Sequence, residues 1–137
     1  MRRFVAVLML LGLAFVASCG EDKDAENAGK ECGPPPTGTP GGVTLPTSFP
    51  VPSGVTMVSS VKQGPSTVLE GYSSAGLGAL SNDYKQALGT APFSVTKAEK
   101  DPHDAEVNFE SANYTGQVKL QEACKDRTSV TITVRPK

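Results

Sequence analysis

Four side chains capable of chemistry fall within six residues of one another: Asp101, His103, Asp104 and Glu106, in the run DPHDAE. Carboxylate oxygens suit hard cations, and an imidazole beside them suits zinc or copper, so these four are the chain's weak candidates for a metal or acid/base site. The chain contains a single His, which any Ser/His/Asp hydrolase and most zinc sites would have to commit. Neither a phosphate loop nor a GxSxG elbow occurs, and no Ser, Cys or Lys stands at a spacing that pairs it with His103. The plainer expectation is a polar hairpin turn in which Asp101 and Pro102 start the bend and His103 is solvated. No catalytic residue, metal ligand set or cofactor is therefore assigned, and the chain is expected not to be an enzyme.

The three Cys divide between two chemistries. Arg2 and Arg3 precede FVAVLMLLGLAFVA, an apolar run of 14 residues with the layout of a secretory signal. A helix needs about 20 apolar residues to cross a bilayer, so the run is short for a span. Val16, Ala17, Ser18 and Cys19 resemble the lipobox of bacterial lipoproteins, in which a diacylglycerol is linked to the Cys and the signal peptide is cut ahead of it. That resemblance implies a signal peptide over 1–18, lipid on Cys19, fatty acyl chains such as palmitate, and a mature chain on the exported side of a bacterial cell membrane. In such a compartment Cys32 and Cys124 are expected to form a disulfide. Neither sits in a CxxC, which argues against a free redox couple.

Residues 20–31, GEDKDAENAGKE, carry five acids, two Lys and no large apolar side chain, and residues 33–42, GPPPTGTPGG, are Pro, Gly and Thr only. Neither stretch can bury enough surface to offset the entropy of ordering it, so 19–44 reads as a lipidated Cys followed by a flexible linker. Patterned sequence begins near Leu45, leaving 45–137 for one small domain. Within it Leu77, Leu80, Tyr84 and Leu88 recur at helical spacing, with Asn82, Lys85 and Gln86 opposite, Ser73 or Ser74 as a cap and Gly89 as a stop. Elsewhere the period is two. Strands are expected around Val55–Val61, Thr67–Tyr72, Phe93–Val95 and Val107–Phe109. Two more place Val118, Leu120 and Cys124 on one face, then Val130, Ile132 and Val134. KQGPS, SAN and KDRT supply turns. The order, with hairpin-length connections, predicts an α+β domain: an antiparallel sheet of about five or six strands with one helix packed on one face.

The segment LPTSFPVPSGV, then two strands, then LSNDYKQAL and PFSVT, resembles a family of small exported bacterial domains with the pattern fPvPpga and, in the helix, fYkaaL. Phe49, Pro50, Pro52, Gly54, Tyr84, Lys85 and Leu88 carry the match. Ala91, Pro92 and Phe93 depart from it where the family has a Gly and an aromatic pair. The resemblance implies a lipoprotein domain with no assigned activity. The formal charge of −1, falling to about −3 without residues 1–18, offers no basic surface for nucleic acid or anionic headgroups. Two functions stand open. One is a non-enzymatic envelope module that binds another protein or has a structural role. The alternative is a carrier of a small apolar, lipid-like ligand in a groove between helix and sheet.

Overall fold

Period-two alternation gives strands and the 3.6-residue stripe gives one helix, in the expected order. The computed structural model describes residues 27–137; the signal peptide and Cys19 lie outside the described residues. The elements are β1 (Val55–Gln63), β2 (Ser66–Ser73), α1 (Leu77–Leu88), β3 (Ser94–Lys100), β4 (Asp104–Glu110), β5 (Tyr114–Cys124) and β6 (Arg127–Pro136). The turns are tighter than the sequence suggests. Gly64 and Pro65 alone separate β1 from β2, with Gly64 at φ +58, and Lys125 and Asp126 alone separate β5 from β6. A left-handed φ at such a two-residue turn is the conformation glycine adopts without a Cβ penalty.

All six strands form one antiparallel sheet in the order β1-β2-β6-β5-β4-β3. The last strand is therefore central: β6 joins the β1–β2 hairpin to the β3–β4–β5 meander. One cross-strand row shows how the alternation is used. Ser60, Leu69, Ile132, Val118, Val107 and Ala98 stand opposite one another across the six strands, and the four in the middle are buried. The adjacent row on the opposite face runs Glu70, Thr131, Lys119, Glu106 and Glu99.

Leu77, Leu80, Ser81, Tyr84 and Leu88 are the buried residues of α1, which makes its sheet contacts with β3, β4 and β5. Its start differs from expectation. Gly76 is the cap residue and no side chain caps the helix, because the Ser73 hydroxyl accepts from the Ala75 amide at 3.1 Å and is already spent in the preceding turn. Gly89 closes the helix as expected, its amide donating to the Lys85 carbonyl at 3.0 Å. Beyond it, across a cis Ala91–Pro92 bond, Phe93 meets Phe49 and Phe109 with ring centroids 5.6 and 5.7 Å away, and those two rings are 5.2 Å from each other. Such pairs add about 0.5–1.5 kcal/mol each to the area they bury. The cluster has room because residue 116 is Gly: a Cβ there would lie 2.6 Å from the Phe109 ring.

Tyr84 is wholly buried, and among the described residues its hydroxyl has no hydrogen-bond partner. Burial raises its pKa well above the ordinary phenol range. Leaving a hydroxyl unpaired in a core costs about 1–3 kcal/mol. Tyr84→Phe is therefore expected to stabilise the domain by about 1 kcal/mol, seen as a rise in Tm of about 4 °C. Below about pH 10 the hydroxyl is protonated in both the folded and the unfolded chain. Above it the unfolded chain releases a proton that the folded chain keeps, so wild-type stability falls as pH rises. The advantage of Tyr84→Phe should consequently widen between urea titrations at pH 8 and pH 11. A less stable Tyr84→Phe would show that the hydroxyl is satisfied in solution.

Candidate functional site

Most of the sequence's candidate residues sit at one end of the sheet, where β5 meets β6, β3 meets β4, and α1 begins. Cys32 and Cys124 are disulfide-bonded, with Cα atoms 5.3 Å apart across a separation of 92 residues. The expected alignment of Cys124 with Val118 and Leu120 does not hold. A register shift between Glu122 and Cys124 breaks the period of two and sets Cys124 opposite Arg127. A bulge of this kind re-aims the side chain that follows it.

Around the disulfide, the chain expected as linker is tied to the domain. The Lys125 amide donates to the Lys30 carbonyl at 2.9 Å, and the Arg127 guanidinium donates to the carbonyls of Gly33 at 2.8 Å and Pro34 at 3.3 Å. Arg127 also lies over the Tyr72 ring, 5.7 Å from its centroid. Lys125 pairs with Glu31 at 3.1 Å, an exposed contact of little energetic weight. Further along, the Ser60 hydroxyl donates to the Gly41 carbonyl at 3.1 Å, and a Cβ on Gly38 would collide with the Val58 carbonyl. Residues 30–41 thus run from the β5–β6 turn to β1 as a strap. Sequence reasoning missed Arg127 because a lone Arg in a turn reads as solvated, and nothing local says that two carbonyls ninety-odd residues upstream will reach it.

The DPHDAE residues do not converge. Asp101 closes the β3–β4 turn through its amide, which donates to the Asp104 carbonyl at 2.9 Å. His103 turns to β5: its Nδ1 lies 2.9 Å from Glu122 Oε2, and the Glu122 amide donates to the His103 carbonyl at 2.9 Å. Glu106 accepts from Gln117 Nε2 at 3.0 Å along the polar face. Among the described residues, no three His, Cys, Asp or Glu side chains gather as a metal-binding group. The His103–Glu122 pair is half exposed and fastens a turn to its neighbouring strand. The sequence pointed to the acids beside His103, whereas hairpin register supplied its partner from 19 residues away.

Open hollows also lie away from this end. A cleft of about 550 Å³ is bounded by residues 44–48, Lys62, Thr67, Tyr114, Val134 and Pro136. A shallower one of about 420 Å³ lies between Pro50–Pro52 and Asp83, Gln86 and Ala87 of α1. Neither borders Tyr84, whose surroundings are the filled core. Among the described residues, no helix is long and apolar enough to cross a membrane.

The disulfide closes a loop for which chain entropy gives roughly 4–5 kcal/mol. Cys32→Ser with Cys124→Ser is expected to lower stability by about 3–5 kcal/mol in urea titration, and to raise hydrogen exchange through residues 30–41 while β4 to β6 stay protected. Unchanged exchange in that segment would mean that the carbonyl contacts of Arg127 hold the strap alone. Compared with family models, with curated proteins and with solved structures, the chain matches none.

Proposed function

We propose that the protein is a membrane-anchored bacterial lipoprotein whose domain is a non-enzymatic binding or structural module of the cell envelope. The lipobox-like run Val16, Ala17, Ser18 and Cys19 supports the anchor, and what the domain does with its interior supports the module. In this reading α1 lies across one face of the sheet as the second of two layers. What supports a module over a carrier is burial: Leu80, Tyr84 and Leu88 of α1 and Val107, Phe109, Val118 and Leu120 of β4 and β5, strands that α1 contacts, are at most 1 % exposed. A lipid-like ligand between those layers would need a groove, and side chains occupy that space. The partner is then met on the outside of the domain, by surface complementarity.

Anchoring is tested through Cys19. Cys19→Ala is expected to block lipidation and leave an uncleaved precursor. Wild type should partition into the detergent phase with the mass of diacylglycerol on its first residue, and a wild-type chain of unmodified mass would refute the anchor. The module reading is tested by complementing a deletion phenotype. A stably folded His103→Ala protein should restore function in full, and its failure would return the site to the DPHDAE turn.

A further inference from the structure

The two edges of the sheet are treated differently. β1 has the strap against it, through Gly38 at Val58 and Gly41 at Ser60. β3 is the other edge, and of its seven residues all but Val95 are exposed. An uncovered edge presents backbone groups on which another strand can pair. The side chains of this one are self-complementary. Lys97 and Glu99 flank Ala98, and on a single chain they pair with each other at 2.8 Å while both remain more than half exposed. Glu99 also stands directly opposite Glu106 of β4, a like-charge cross-strand pair that destabilises the edge.

We propose that β3 is a homotypic docking edge, at which a second copy of the chain pairs antiparallel about Ala98, with Lys97 of each copy opposite Glu99 of the other. An interface with two-fold symmetry requires that residue i meet j and j meet i, and Lys-Ala-Glu centred on Ala98 satisfies this. The polar row that ends in Glu106 and Glu99 then continues with Lys97 of the second copy, which offsets the like-charge pair twice over. Ala98, at the end of the central buried row, meets its own equivalent. The register shift between Val95 and Lys97 confines regular pairing to the second half of the strand. The contact is consequently short, weak in dilute solution, dependent on ionic strength, and favoured where copies are held close together.

The test is crosslinking on the full chain in intact cells. Residues directly opposite in an antiparallel pair have Cα atoms about 4.5–5.5 Å apart, within disulfide range. Ala98→Cys should therefore give a disulfide-linked dimer under mild oxidation, identified by a peptide joined to itself through position 98. Gln63→Cys, on the opposite edge, should give little. Adding Lys97→Glu to Ala98→Cys sets Glu against Glu at both symmetric positions and should cut the dimer roughly tenfold or more. Adding Glu99→Lys as well restores opposite charges and should restore the yield. Ala98→Cys dimer no greater than the Gln63→Cys background overturns the proposal, as does a yield indifferent to both charge changes.

Discussion

A single helix cannot cover six strands, and the rest of this fold is arranged around that constraint. Strands about 4.8 Å apart make a sheet about 24 Å across between its outer members, whereas a helix with its side chains is about 10 Å wide. The contacts of α1 with the sheet fall on β3, β4 and β5. The buried residues of β6 and β2, Val130, Ile132, Val134 and Leu69, need another cover. The segment that precedes β1 contributes Phe49 to the core cluster and Leu45 packed against it. Phe49 is the junction, since its ring touches Phe93 and Phe109, which lie beside the helix exit and on β4.

That need explains why residues outside the expected domain are docked to it. Once the chain before β1 must pass over the sheet, its upstream continuation runs alongside β1. The disulfide, the guanidinium of Arg127 and the Ser60 hydroxyl fix that path. The strap also blunts one of the two sheet edges, a recurring way of limiting unwanted strand pairing.

The proposed functional reading rests on the same economy. Tyr84, Phe109 and the aliphatic residues of the sheet are buried together in one core cluster. Among the described residues, His103 pairs with Glu122 and Lys137 with Glu110 at the surface. The proposed module would meet its partner over such a polar surface.

How much of this was legible in the sequence follows from the range over which each feature is decided. Strand and helix identity is local: Val107 and Phe109, or Leu77 through Leu88, declare a period within a dozen residues, and the order of seven elements could be read from them. The pairing of Cys32 with Cys124 was legible for a different reason, the number of cysteines left after Cys19. Features that depend on where strands meet were not. The place of β6 between β2 and β5, the flip of Cys124 across a bulge, the Glu122 partner of His103 and the carbonyls received by Arg127 are all set by register between distant segments. The linker composition of residues 33–42 says only that the segment cannot build a core of its own. That it runs beside β1 was decided by the tertiary structure, because the disulfide, the Arg127 guanidinium and the Ser60 hydroxyl that fix its path belong to segments far away in sequence.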